Sequence, residues 1–188
     1  MSMTITVVRP PAVEPVALAD LRQFLRLSGT GEDALLSGLL KAARETLETL
    51  TGLVLIKQQL RFYIDRWPND GLIRIDRYPV QSVAAVTAYE PDGVPVVLPA
   101  VAMHLEAATR PARLHLQFPA HGLSGLEIDV IAGFGETGVD VPDALKHALM
   151  TLVAHWYEFR GTYGPADHPA SLTPAFERVV NLWRRVSL

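Results

Sequence analysis

The sequence predicts an α+β fold in which a small helical bundle is interrupted by an inserted antiparallel β segment of sandwich or barrel-like type. Apolar residues recur at helical spacing on both sides of the insertion, whereas within it the apolar period changes to two. A period of two indicates strands with one buried and one solvated face. We therefore expect three long or medium helices and a short C-terminal one. The parts are an N-terminal arm at 1–16, a helical bundle core at 17–52 and 139–161, the inserted β subdomain at 53–135, and a mobile loop with a C-terminal docking helix at 162–188.

The composition indicates a folded, soluble protein. Of the 188 residues, 49% are hydrophobic and 20% are charged, and the formal net charge is −3. That charge argues against a general nucleic-acid binder, because such domains usually carry a basic excess. The absence of cysteine excludes disulfides, thiolate zinc sites and cysteine nucleophiles, and it fits a reducing cytoplasm. We expect no secretory signal and no membrane partner, since no apolar run approaches the ~20 residues that cross a bilayer.

The first third of the chain is predicted to be an extended arm followed by two helices. Three prolines disfavour helix in the arm: Pro10, Pro11 and Pro15. A short helix is expected at 17–27, and a longer one at 32–51 that ends at Gly52. The apolar stripe of the longer helix comprises Leu36, Leu39, Leu40, Ala43, Leu47 and Leu50. Its opposite face is typical of a solvated surface and carries Lys41, Arg44, Glu45 and Glu48.

The central region is predicted to contain about six short strands, enough for a small sandwich or barrel. Apolar positions alternate with polar ones over several segments, for example at 60–64. The tripeptide Pro91-Asp92-Gly93 lies between two such segments. Its residue types favour a turn, so the two segments are expected to form a hairpin.

The last third contains a long amphipathic helix. Pro142 suits its first position, and Asp143 suits the positive end of the helix dipole. Its apolar stripe comprises Leu145, Leu149, Leu152, Val153 and Trp156. A loop rich in glycine and proline follows at 161–169, and a final short helix opens at Thr173. Because the three apolar stripes have no other shared partner, we expect the first three helices to pack together as one bundle.

The run from Gly133 to Gly138 matches the dinucleotide fingerprint G-x-G-x-x-G and follows a predicted strand. The fingerprint requires a helix to begin inside the run, so that its N-terminal amides meet the pyrophosphate. Here the helix begins only at Pro142, and no second strand follows to carry a ribose-binding acid. We interpret the run as a strand-to-helix turn and predict no nucleotide binding.

The sequence offers no catalytic, cofactor-binding or metal-binding residues, and we predict that the protein is not an enzyme. None of its serines lies in a nucleophile elbow or an S-x-x-K arrangement. His147 and His155 lie on one helix but two turns apart, too far to share a metal. His155 and Glu158 are spaced to reach one ion, yet no further pair completes a site. Packing or surface positions are the simpler interpretation.

The C-terminal end carries an aromatic residue among cations: Arg178, Trp183, Arg184 and Arg185. One interpretation is an amphipathic helix end whose cations favour the negative end of the helix dipole. The other is a partner-docking anchor, because tryptophan and arginine are enriched among the residues that dominate interfaces. The residues alone leave both open.

Four segments follow one another along nearly the whole chain. They are PVALADLRQFLRL at 15–27, EDALL through AARE to LTG at 32–52, IAGFG followed by VP and by HWYE at 131–158, and LWRR at 182–185. In this order they resemble the phage head–tail connector (adaptor) family, in the subgroup with a β-rich insertion found in tailed phages and gene transfer agents. One departure is Ala17, which stands where that family has a hydroxyl N-cap and should weaken the first helix by ~1 kcal/mol.

The resemblance implies a structural role without enzymatic residues. Such proteins form a ring under the portal, extend the DNA channel and dock stopper or tail-completion proteins. For this chain it implies self-association, as a dodecamer or as a monomer that assembles only on the portal, with DNA only as a passing duplex. It also implies that the portal is the partner of the four C-terminal residues Trp183, Arg184, Arg185 and Arg178. The protein would be made in the bacterial cytoplasm and located in the neck of a virion or phage-like particle.

Two alternatives stay open at the level of sequence. One is another neck component, such as a stopper or tail-completion protein, which would also form rings. The other is a small nucleotide-binding cytoplasmic protein that uses the glycine run.

Overall fold

The computed structural model of the chain describes residues 3–118, 122–159 and 172–184. The described residues divide into two compact units. The β unit is built from Met1–Ala12 and Lys57–Phe134, and the helical unit from Val13–Ile56 and Gly135–Leu188. Each unit therefore combines two separate stretches of sequence.

The β unit contains eight described strands in two sheets, and every strand pair is antiparallel. The five-stranded sheet has the order β1-β2-β8-β4-β5, and the three-stranded sheet has the order β3-β7-β6. Both sheets have open ends among the described residues, so the barrel-like part of the expectation is wrong. The strands are β1 Met3–Arg9, β2 Gln58–Ile64, β3 Leu72–Ile75, β4 Val80–Tyr89, β5 Pro95–Val97, β6 Met103–Glu106, β7 Ala112–Leu116 and β8 Leu126–Ala132.

The predicted alternation is confirmed in the centre of the larger sheet. Leu60, Phe62 and Ile64 of β2 are buried, while Arg61 and Tyr63 point to the other face. The same period buries alternate residues of β8. The predicted hairpin is also present, since β4 and β5 pair on either side of Pro91-Asp92-Gly93 and Gly93 has the positive φ that such a turn favours.

The N-terminal segment differs from the expected arm. Met3–Arg9 forms β1, which lies at one edge of the five-stranded sheet and pairs with β2. The strand ends immediately before Pro10 and Pro11, which cannot donate to a ladder. The prolines therefore limit the strand, but they do not keep the seven residues before them out of the sheet.

The helical unit contains four described α-helices. They are α1 Leu18–Phe24, α2 Asp33–Thr51, α3 Asp143–Phe159 and α4 Pro174–Trp183. Helix α2 packs against α3, as predicted, and α4 packs against both. Helix α1 packs on α2, and its Phe24 ring contacts His147 of α3, so the first three helices do pack together and α4 is an additional member.

Helix α1 is shorter than expected and spans seven residues. Ala17 at its N-cap makes no side-chain hydrogen bond, and Arg26 adopts a positive φ just beyond its end. A helix without a cap and with a left-handed residue at its exit has little to extend it. None of the described helices is both long and apolar enough to cross a membrane.

The core of the helical unit follows most of the predicted stripes. Helices α2 and α3 bury their aliphatic faces, and α4 adds Phe176 and Val180. Leu50 departs from the prediction because it is exposed near the end of α2. Gly52 ends that helix in the left-handed conformation, as expected, and its N–H donates to the Glu48 carbonyl.

Candidate functional site

A buried arginine organises the helical unit. Arg44 of α2 is only 4% exposed. Its Nε donates to Glu14 Oε2 at 2.7 Å, and its Nη1 donates to Glu48 Oε2 at 3.0 Å. The solvated face expected for α2 is therefore wrong at this position, although Lys41 on the same helix is exposed.

Glu48 extends this contact to a third segment. While Oε2 accepts from Arg44, Oε1 accepts the backbone N–H of Leu55 at 2.8 Å. The cluster formed by Glu14, Arg44, Glu48 and the Leu55 amide, here called the arginine cluster, thus joins the segment before α1, helix α2 and the segment after it. Burial lowers the pKa of Arg44, but the hydrogen bond to Glu14 and the charge of Glu48 outweigh it, so the net pKa is raised. The guanidinium stays charged in its buried position.

Glycines of the run from Gly133 to Gly138 lie in close contact with other parts of the protein. A Cβ at Gly135 would overlap the side chain of Asp140, and a Cβ at Gly138 would overlap the carbonyl oxygen of Pro15. Asp140 Oδ2 accepts from the Thr137 N–H at 3.0 Å and from its hydroxyl at 3.1 Å. These glycines thus permit close approach of protein atoms within a strand-to-helix turn, as the sequence predicts. The absence of nucleotide binding stays a prediction.

A groove lies beside this turn on the helical unit. Its volume is about 620 Å³ and its lining is mostly apolar, with residues from 13–18 and 137–139 on two sides. Val139 projects beside it and is 88% exposed. The groove contains a cation, Lys146, which pairs with Asp143 at 2.8 Å.

The predicted docking residues belong to α4 and its end. Arg178 and Arg184 are exposed, and Trp183 is half-buried as the last residue of the helix. Arg185 lies outside the described residues. The opposite side of α4 is anchored, since Phe176 is fully buried and Thr173 caps the helix by accepting the Phe176 N–H at 3.2 Å. Leu182, one turn beyond Arg178, is 83% exposed, so the outer face combines a cation with an apolar side chain.

The histidines of α3 contact aromatic rings. His147 meets Phe24 edge-on at 5.9 Å between ring centroids, and His155 lies 4.8 Å from Phe159. Among the described residues, no group of three or more potential ligands could hold a metal ion. Packing positions on the helix surface account for both side chains.

A histidine pair on the smaller sheet was not found from sequence. His104 of β6 lies directly opposite His115 of β7, with 6.1 Å between ring centroids. Glu106 Oε1 lies 3.2 Å from His115 Nε2. The available signal was that His104 and Glu106 share one strand face, but their meeting with His115 depends on strand register, which a single sequence does not reveal.

A second arginine contact lies on the outer face of the larger sheet. Arg61 of β2 is directly opposite Asp129 of β8, and it donates through Nε at 2.6 Å and through Nη2 at 2.8 Å. Its Nη1 lies 3.1 Å from Glu127. The hydrogen bond to Asp129 raises the pKa of Arg61. This fork is chemically like the arginine cluster, but it is more open to solvent, with the Arg61 side chain 33% exposed.

Chains in three solved gene transfer agent (GTA) structures have a similar fold. In the neck of an empty GTA particle computed with C6 symmetry, the TM-score is 0.78 at 25% identity, over 98% of this chain and 97% of that chain. In the virion of a native GTA particle, the TM-score is 0.80 at 25% identity, over 98% and 96%. In the neck of a native GTA particle computed with C12 symmetry, it is 0.76 at 25% identity, over 100% and 97%. No family model and no curated protein matches the chain.

Proposed function

We propose that this protein is a structural component of the neck of a tailed phage or phage-like particle, and specifically its head–tail connector (adaptor). The observation that carries the proposal is the likeness of the fold to GTA neck and virion chains over at least 96% of both chain lengths. The likeness therefore involves the sheets and the helices together rather than one shared motif. No cofactor or reaction is part of this function.

The proposed assembly is a ring under the portal. Two of the similar chains belong to necks computed with C6 and C12 symmetry. A cyclic ring requires two different, complementary surfaces on each copy. This chain presents apolar side chains that such contacts would cover, among them Val101, Val139 and Leu182. Its net charge of −3 suits a channel through which a DNA duplex passes without being held by its phosphates.

The outer face of α4 is the proposed contact with the portal. Arg178, Leu182 and Arg184 are exposed, while Phe176 and Val180 fix the helix to the rest of the unit. A rigid helix that displays cations and an apolar side chain suits an acidic, partly apolar partner surface. Trp183 and Arg185 complete the proposed docking set.

The proposal is tested by cryo-electron microscopy of the neck of the parent particle. We expect this chain in a ring of twelve copies directly beneath the portal, with α4 against it and stopper or tail-completion proteins below. Density for the chain in the stopper ring instead would assign the alternative neck role. A particle whose neck lacks the chain would overturn the proposal.

The docking face is tested separately by charge reversal. Arg178→Glu with Arg184→Glu should abolish attachment to portal-bearing heads, because both side chains are exposed and would then repel an acidic surface. The matched control is Arg74→Glu with Arg113→Glu, which reverses two exposed cations on the smaller sheet. Attachment is measured by co-sedimentation with purified heads, and circular dichroism checks the fold. Normal attachment of the α4 variant would exclude this face as the portal contact.

A further inference from the structure

The two edges of the five-stranded sheet differ in how they are protected from other strands. At one edge, β5 has three residues and begins with Pro95, which has no N–H to donate. It covers only 87–89 of β4, and the earlier part of β4 has two register irregularities, which distort the edge there. At the other edge, β1 has seven residues and pairs only with β2 among the described parts of the chain. Short strands and prolines are the usual means by which proteins prevent edge-to-edge association. The edge formed by β4 and β5 combines a short strand, a proline and register irregularities, whereas β1 has none of these along 3–7.

The exposed edge of β1 is also uncharged. From Met3 to Val8 every side chain is neutral, and the first charge is that of Arg9. The pairing with β2 shifts register between Val7 and Arg9, so the regular part of the strand is 3–7. Its outward backbone groups form a row of donors and acceptors that can accept one more strand.

The side chains of β1 define what that added strand must carry. Ile5 lies opposite Phe62 and Val7 lies opposite Leu60, so these residues continue the buried face of the sheet. The continuation stops at β1, where Val7 is 51% exposed and Ile5 is half-buried. On the other face, Thr4 and Thr6 are exposed. An added strand would therefore carry aliphatic residues on one face and short, neutral, hydrogen-bonding residues on the other.

We propose that this strand is the β1 of a second copy, paired antiparallel about a two-fold axis with Ile5 opposite the partner's Ile5. Strand β1 itself has the required alternation of aliphatic residues and threonine. Side chains alternate between the two faces of a strand, and the aliphatic residues of β1 within 3–7 have odd numbers. The aliphatic residues of both strands therefore share one face only if odd-numbered residues lie opposite odd-numbered residues. With Ile5 opposite the partner's Ile5, all five residues from 3 to 7 are paired. Met3 then lies opposite the partner's Val7, and Thr4 lies opposite the partner's Thr6. Cross-strand threonine pairs of this kind are favourable.

This interface makes dimers only, because a two-fold contact uses the same surface on both copies and closes on itself. It is therefore distinct from the head-to-tail contacts of a ring and does not depend on the proposed neck function.

The register is tested by single cysteines, since the chain has none of its own. Residues directly opposite in an antiparallel pair have Cα atoms about 4.5–5.5 Å apart, within the range of a disulfide. Ile5→Cys should form a disulfide-linked dimer under mild oxidation, seen as a doubled mass on a non-reducing gel. Val97→Cys, on the exposed β5 edge, is the control and should stay monomeric. Equal cross-linking of the two variants, or none at Ile5→Cys, would overturn the proposal.

The association itself is tested without cross-links. Sedimentation velocity over a concentration series should show a monomer–dimer equilibrium, which Thr4→Lys with Thr6→Lys should abolish because lysines then oppose lysines. Thr4→Glu with Thr6→Glu should also be monomeric, and mixing the two variants should restore a heterodimer. Ser82→Lys with Ala84→Lys, at exposed positions of β4 outside the proposed interface, should dimerise like the unmodified chain.

A chain that remains monomeric throughout the concentration series, or a mixture without heterodimers, would contradict pairing through β1.

Discussion

The two arginine contacts show how one chemical pair can have different consequences in two regions of the molecule. Arg44 and Arg61 each hold a carboxylate through two nitrogens. Arg44 is buried, and the arginine cluster joins three chain segments that no sheet ladder connects. Arg61 is partly exposed and joins two strands that already share a regular ladder. Burial and the lack of an alternative connection, rather than the pair itself, decide how much each contributes to stability.

The largest effect is expected from Arg44→Ala. The variant leaves Glu14 and Glu48 facing each other without a cation, and breaking a buried pair from one side typically costs about 3–5 kcal/mol. Chemical denaturation followed by circular dichroism should show this loss as a lower midpoint. Lys41→Ala, an exposed cation on the same helix, is the control and should change the unfolding free energy by less than about 0.5 kcal/mol. Similar losses of unfolding free energy in the two variants would show that the burial of Arg44 does not decide its contribution to stability.

The helical unit is also expected to depend on the close approach of its backbone segments at Gly138 and Pro15. Gly138→Ala directs a methyl group at the carbonyl oxygen of Pro15, and overpacking of this kind costs about 1–3 kcal/mol. Gly38, within α2, has open space at the same position, so Gly38→Ala should stabilise the protein by about 1 kcal/mol through helix propensity. The two unfolding midpoints should move in opposite directions. Equal shifts of the two unfolding midpoints would show that the backbone near Pro15 moves easily to accommodate the added methyl group.

The smallest effect is expected from Arg61→Ala. Exposed ion pairs contribute about 0–1 kcal/mol, and the ladder between β2 and β8 remains in the variant. The difference from the unmodified chain should shrink further in about 1 M salt, where charges are screened beyond about 3 Å. Denaturation at low and high salt measures both values. A loss as large as that of Arg44→Ala would show that the sheet needs this pair after all.

The sequence predicted the features that depend on neighbours along the chain. The stripes of α2 and α3, the stop at Gly52 and the β4–β5 hairpin all follow from local periodicity or turn chemistry. The burial of Arg44 did not, because its partner Glu14 lies thirty residues away and no local pattern marks the pair. A charged residue opposite an apolar stripe is usually solvated, so the rule itself gave the wrong answer here.

Other differences have equally specific causes. Strand β1 was assigned to an arm because prolines dominate its end, although its own residues alternate as in a strand. Helix α1 belongs to the predicted bundle, but its uncapped start leaves it shorter than the spacing of its apolar residues predicts. For the candidate docking face, sequence supplied the residues on α4, but only the structure separates the anchored side from the exposed one.

The strand order of the larger sheet has a consequence for synthesis on the ribosome. Its central strand, β8, is the last of the eight in sequence, and both β2 and β4 depend on it for pairing. At ~5–20 residues per second, β2 emerges several seconds before β8 and has only β1 to pair with during that interval. A nascent chain that stalls before residue 126 would expose open edges on β2 and β4 at once. We expect such stalled chains, rather than full-length ones, to be the species that aggregates or recruits chaperones.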